Sequence, residues 1–344
     1  MNLFEEYKIQ SFLQRNSLFQ DSRNKLFSSF SEKEINFLKK IKHLNGDMPE
    51  DFFNNVLLIK DQINSFIGKM QPIYEIGIKF NMYLAGGALR DLLLNNVQHI
   101  RDLDIIFDFS EYNDSNEKKL SQMSVFMLDK IFGPLNITQT QWDELDPKQK
   151  SFLLIFNVLQ KEYTIDKKYT LDELKNKASL ANETYSHLLN KELEAVISVS
   201  NPKDKYPMDI LVINTNIDGY LDTFSFDICK VKLSVLNMDK PQIITNVYDF
   251  MKFIYTPKHF IKDAMEQTLT LKMYKYSDTG LIEKIINKHY AKIKHKYANY
   301  KINLEAGSSE EMRKFKEKYE SATALSSILQ TKQLNISSGK EIKI

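Results

Sequence analysis

Between residues 81 and 108 the chain changes character three times. MYLAGG is a short apolar run closed by two glycines, ALRDLLLNN carries leucines at helical spacing, and DLDIIFDF interleaves acidic with apolar residues. The order this predicts is strand, turn, helix, strand. Two short strands cannot make a stable sheet alone, so partners must come from elsewhere in the chain. LEAVISVS, a turn at NPKDKYP and MDILVIN read as a hairpin, and FSFDICKVKLSVL reads as a further strand.

Helical patterns surround these strands. Residues 3–80 hold three glycines, Gly46, Gly68 and Gly77, with apolar residues at helical spacing in FLQRNSLF, INFLKKI and FNNVLLIKDQINSFIGKM, which predicts a helical N-terminal region over 1–80. Residues 110–190 are polar and mostly helical in pattern, which marks an insertion within a sheet-bearing domain over 81–250. KHFIKDAMEQTLTLKMYKY and TGLIEKIINKHYAKIKHKY read as helices, followed by an amphipathic helix around EEMRKFKEKYESATALSSILQ and a loose end at NISSGKEIKI. Residues 251–344 are therefore expected to form a helical C-terminal region. The fold class is α+β, a small mixed sheet with a helical N-terminal region, a helical insertion and a helical C-terminal region.

Composition narrows the function classes. Hydrophobic residues make up 42% and charged residues 27% of the 344, ordinary globular usage that excludes a fibrous or disordered chain. No apolar run approaches the roughly 20 residues that cross a bilayer, and the N-terminus lacks a leader pattern, so a cytoplasmic protein with no membrane partner is expected. Cys229 is the only cysteine, which rules out an intramolecular disulfide and a thiolate metal cage. A net charge of +2 permits an RNA partner without requiring one.

The residues with chemistry lie in the opening segment. Gly86 and Gly87 stand where a strand hands over to a helix, and without Cβ atoms their backbone can approach a triphosphate closely. Arg90 follows one turn into the helix, placed to offset phosphate charge. Asp102 and Asp104, two apart on a strand, point the same way and can jointly hold divalent cations. An in-line phosphoryl displacement by two cations needs a third carboxylate, and Asp209 in YPMDILVI supplies it from a strand that could lie beside DLDIIF. Asp91 reads as a first-turn helix charge or a partner of Arg90 or Arg101. His259, His289 and His295 lack the acidic or thiol spacing of a metal site. The lysines of 284–301 read as a solvated face, with Tyr290, Tyr297 and Tyr300 interleaved where they could stack on bases.

The segment MYLAGGALRDLLLNNVQHIRDLDIIF resembles the signature of the DNA polymerase β superfamily, and specifically the head domain of class II CCA-adding enzymes and bacterial poly(A) polymerases. The resemblance rests on Gly86, Gly87, Arg90, Asp91, Leu93, Leu94, Asp102 and Asp104 in the family's order. It implies a nucleotidyltransferase sheet with two Mg²⁺ ions, or Mn²⁺ in their place, held by Asp102, Asp104 and Asp209. It also implies a nucleoside triphosphate such as ATP as substrate and an RNA 3′ end as acceptor. DGYLDTFSFDICKVKL is similar to the family's ribose motif, with Asp227 matching its aspartate, Ser225 and Phe226 at its arginine positions, and Lys230 or Val231 where its asparagine stands. No acidic pair followed by arginine is present to read a base; KDAMEQTLTLK offers only Asp263 and Glu266. A protein or small-molecule acceptor, or a scaffold that has lost catalysis and binds RNA or protein, remains compatible with these residues.

Overall fold

The structure, a computed structural model, describes residues 3–5, 30–78, 80–110, 114–170, 193–236, 244–276, 279–287 and 291–322. The helix expected in FLQRNSLF, the loose C-terminal end, His289 and Tyr290 lie outside them. The chain divides into two compact units: Met1–Phe224 with Cys229–Lys262, and Ser225–Ile228 with Asp263–Ile344.

The first unit opens with helices. α1 (Glu32–Ile41) starts where Ser31 Oγ accepts from Glu34 N and the Glu34 carboxylate takes Ser31 N in return. Such a reciprocal cap stabilises a helix start by roughly 0.5–2 kcal/mol. The backbone and hydroxyl donors of Ser31 hold the Glu34 carboxyl below its ordinary value. α2 (Glu50–Glu75) buries Phe52, Val56, Ile59, Ile63, Phe66, Met70 and Ile73, a stripe three or four residues apart along one face. Each such side chain contributes roughly 1.5–3 kcal/mol when fully buried.

Next come β1 (Asn81–Ala85), α3 (Gly87–Leu93) and β2 (Leu103–Asp108), the order expected. The insertion holds α4 (Asp114–Ser121), α5 (Val125–Phe132), α6 (Gln139–Glu144) and α7 (Pro147–Glu162). α7 begins with Pro147 in its first turn and a capping box between Asp146 and Gln149. The insertion also supplies β3 (Thr164–Thr170), an edge strand that its polar sequence did not announce. β4 (Leu193–Ser200) and β5 (Met208–Ile213) form the expected antiparallel hairpin, followed by α8 (Ile217–Asp222). The run FSFDICKVKLSVL yields a strand only over β6 (Lys232–Leu236), because a short 3-10 turn at Asp227–Cys229 breaks it and Ser225–Ile228 belong to the second unit. α9 (Val247–Phe253) follows.

The six strands are ordered β3-β4-β5-β2-β1-β6, with β2 and β5 parallel and the other neighbours antiparallel. Strand alternation divides the sheet into two faces. One face carries Phe107 against Phe66 of α2, ring centres 6.2 Å apart, and against Phe80 at 5.0 Å. The other carries Ala85, Ile106, Leu211 and Ile213, packed on Ile217, Tyr220 and Leu221 from α8. Among the described residues no helix is long and apolar enough to cross a membrane.

The second unit corrects the expectation of an all-helical C-terminal region. α10 (Lys258–Glu266) ends at Gln267, whose φ of 53° stops the helix, and TLTLK is a strand, β7 (Thr268–Lys272). Asp263 fixes this change: its buried carboxylate accepts from Thr268 Oγ1, Thr270 N and Thr270 Oγ1 at 2.9, 3.0 and 2.6 Å. Burial pushes the Asp263 carboxyl above its ordinary value. After α11 (Thr279–Ile285) and α12 (Ala291–Lys296), β8 (Lys301–Glu305) pairs in parallel with β7. A helix spans 310–322.

Candidate active site

Asp104 and Asp209 are direct partners in the parallel ladder between β2 and β5. Adjacent strands lie roughly 4.8 Å apart, and register partners present their side chains on the same face, so these two carboxylates stand side by side. Both are half-buried. On the other side of Asp209 its partner is Ser198 of β4, whose Oγ donates to Asp209 Oδ1 at 2.6 Å. Sequence reasoning missed Ser198; the alternation of LEAVISVS places it on the acidic face once the hairpin register is known. Asp102 lies just ahead of β2 and is exposed.

The diglycine abuts this pair. Ala85 is the ladder partner of Asp104, and Gly86 follows it with φ 74° and ψ −135°, a region that side chains disfavour. A Cβ on Gly86 would stand 2.9 Å from Asp104 Oδ2 and 3.5 Å from the Phe224 ring. Glycine is therefore required by both conformation and space. Its own N–H donates to Val231 O at 3.2 Å, so the sheet takes that amide. Gly87 opens α3.

Arg90, expected beside phosphate, is buried. Its Nε and Nη2 reach Asp91 Oδ1 at 2.7 and 2.6 Å, and its Nη1 contacts Cys229 Sγ at 3.1 Å. Asp91 is thus the arginine partner anticipated as one of its readings. The ribose-motif positions are similarly occupied within their own units. Asp227 belongs to the second unit, where its buried carboxylate takes Lys272 Nζ at 2.8 Å. Lys230, at the asparagine position, is buried in the first unit with Nζ 3.4 Å from Asp222.

The donor set suits a hard cation, since Asp104 and Asp209 offer adjacent carboxylate oxygens and Asp102 lies two residues from the first. Two of the three expected ligands are brought together. The third is not: among the described residues no three His, Cys, Asp or Glu side chains are gathered closely enough to hold a metal ion.

No protein-family model matches the chain, and no curated protein sequence matches it. Two solved structures are similar to it in part. One, described as "Structure of tRNA-processing enzyme complex 3", is 12% identical with a TM-score of 0.33, over 72% of this chain and 44% of that one. The other, "tRNA-processing enzyme (apo form 2)", is 12% identical with a TM-score of 0.34, over 75% and 49%. The chain spans less than half the length of either.

Of the three tyrosines that could stack on bases, the two among the described residues are turned inward. Tyr297 and Tyr300 are buried and pack on each other with ring centres 5.3 Å apart. Their spacing among lysines suggested an exposed face, but each fills the core of the second unit.

Proposed function

We propose that the protein is a metal-dependent nucleotidyltransferase, moving a nucleoside monophosphate from an NTP such as ATP to a hydroxyl at an RNA 3′ end. The observation that carries this reading is the in-register pair Asp104 and Asp209 with Gly86 pressed against it. In the reaction the acceptor oxygen bonds to the α-phosphorus as the bond to the β-phosphate breaks. Pyrophosphate leaves with the electron pair, and the hydroxyl proton passes to solvent. Asp104, Asp209 and Asp102 would hold Mg²⁺ or Mn²⁺, which when bound lowers the pKa of the attacking hydroxyl and offsets charge on the triphosphate. Ser198 orients the Asp209 carboxylate through their hydrogen bond. Gly86 keeps the space beside Asp104 Oδ2 free of a side chain.

The test is to incubate the protein with NTPs labelled at the α-phosphate, Mg²⁺ or Mn²⁺ and total RNA. Label should transfer with the wild type and not with Asp104→Ala or Asp209→Ala. Transfer that survives both substitutions removes this site. Ribonuclease or protease treatment of the labelled product distinguishes an RNA acceptor from a protein one, and label resistant to both marks a small molecule.

The ungathered Asp102 favours a second reading, a scaffold that has lost catalysis and binds RNA or a protein partner. Metal-dependent binding of a nucleotide in a calorimeter counts against it; RNA binding indifferent to metal and nucleotide counts for it.

A further inference from the structure

α8 runs along the sheet face that carries Asp104 and Asp108. It starts over Asp108, where Ile217 N donates to Asp108 Oδ2 at 3.0 Å, and its Ile217, Tyr220 and Leu221 cover Ala85, Ile106, Leu211 and Ile213. The helix closes with Thr223 N on Tyr220 O and Phe224 N on Leu221 O, at 2.9 and 3.0 Å. Phe224 is thereby delivered to the near end of β2, where this cover stops. The point at which a Cβ on Gly86 would stand lies 2.9 Å from Asp104 Oδ2 and 3.5 Å from Phe224 Cε2, so the carboxylate and the ring border the same space.

The ring is fixed in place. Tyr220, almost wholly buried, meets it edge-on with ring centres 5.5 Å apart and planes at 77°, and the core cluster packs behind it. Phe224 itself is only half-buried, and its Cε2 edge stands against a glycine and a carboxylate instead of other apolar side chains. The part of the ring left in water stabilises nothing until something apolar and flat covers it.

A nucleoside triphosphate supplies that cover. Its α-phosphate joins the ribose through a single ester oxygen, so phosphates drawn to cations at Asp104 and Asp209 bring the nucleoside to the adjoining wall. The polar positions of the ribose motif are engaged elsewhere: Asp227 takes Lys272 in the second unit, and Lys230 is buried beside Asp222. A phenyl ring has no hydrogen-bonding group, so it takes the face of a base and leaves the edge unread.

We infer that Phe224 is the nucleoside-binding residue of this site, stacking on the base of the NTP without selecting among base edges; the inference rests on the nucleotidyltransferase reading.

Calorimetry on the full chain in Mn²⁺, comparing ATP with inorganic tripolyphosphate, which has the phosphates and no nucleoside, tests it. The wild type should bind ATP about tenfold more tightly or better, the worth of one stacked base. Phe224→Leu keeps an apolar side chain against Tyr220 and removes the flat face. It should bring ATP down to the affinity of tripolyphosphate and leave tripolyphosphate unchanged, whereas Phe224→Trp should retain the preference for ATP. GTP, CTP and UTP should lose affinity with Phe224→Leu as ATP does. A ring with a structural role alone would weaken both ligands together; that outcome overturns the inference, as does a leucine variant that still prefers ATP. Should a melting curve show the leucine variant unfolded, Phe224→Met takes its place. Asp104→Ala should abolish binding of both ligands. If it does so while Phe224→Leu keeps the preference for ATP, only this inference falls. If the wild type binds neither ligand, or Asp104→Ala binds both unchanged, the nucleotidyltransferase reading falls and this one with it.

Discussion

The two ends of β2 carry the same side chain on the same face and use it in opposite ways. At the far end Asp108 is buried with its acceptors filled: Oδ1 takes Ser110 N and Ser110 Oγ at 2.9 and 2.6 Å, and Oδ2 takes Ile217 N at 3.0 Å at the start of α8. At the near end Asp104 stands beside Asp209. Three donors stabilise the first carboxylate, whereas two carboxylates set side by side repel, the more so when half-buried. The first is explained by the fold it supports. The second sets two acids in register beside a glycine turn, an arrangement the ladder does not require and one that suits a functional group.

The sharpest test of this contrast separates activity from stability. Asp104→Ala or Asp209→Ala should lower label transfer by more than about a hundredfold, since even outer partners of metal ligands are worth 10- to 100-fold. Asp104→Asn, which keeps the shape of the side chain, should lose transfer while its melting curve stays close to that of the wild type; a large fall in Tm would break the comparison. Asp108→Ala should do the reverse. It leaves the Ile217 amide and Ser110 without their acceptor, lowering stability by about 2–3 kcal/mol in urea titration while transfer per folded molecule persists.

Lys42 extends the comparison to a cation. Burial lowers its pKa from 10.5 to about 7, and a neutral amine still has two N–H donors for the two carbonyls it meets. Between those two values the unfolded chain keeps a proton that the folded chain has released, so stability rises with pH through that window and is flat below it. From pH 7 to 8.5 the wild type should gain roughly 1–2 kcal/mol relative to Lys42→Met in chemical denaturation. The smallest effect is at Ser198. Ser198→Ala should change stability by no more than about 1 kcal/mol, yet raise the Mg²⁺ concentration for half-maximal transfer by about tenfold.

The strand, turn, helix and strand of 81–108 and the hairpin of 193–213 were legible because their period-2 and period-3.6 patterns are local. Asp209 could be matched to Asp104 for the same reason: both occupy the second position of a buried strand. What the sequence hid depends on distant partners. TLTLK and KINLE become strands by pairing with each other across two intervening helices, and without that pairing the leucines of TLTLK extend a helical pattern equally well. Likewise TIDKKYT is a strand because β4 offers it an edge. At the site, the burial of Arg90 with Asp91 was half visible as adjacent opposite charges. The pairing of Lys232 with Tyr255 was not, since only the sheet's lateral order brings the two together.

The ladder between β2 and β5 runs in register from Leu103 and Met208 to Asp108 and Ile213. Roughly a hundred residues of chain separate the two acids, yet their spacing owes nothing to that excursion; hydrogen bonds between neighbouring strands hold it. The intervening helices can differ in length without moving the acids, provided β4 stays in place to flank Asp209 and α7 keeps its buried side chains against the core. The spacing of the two acids is set by the sheet and not by the length of the chain between them.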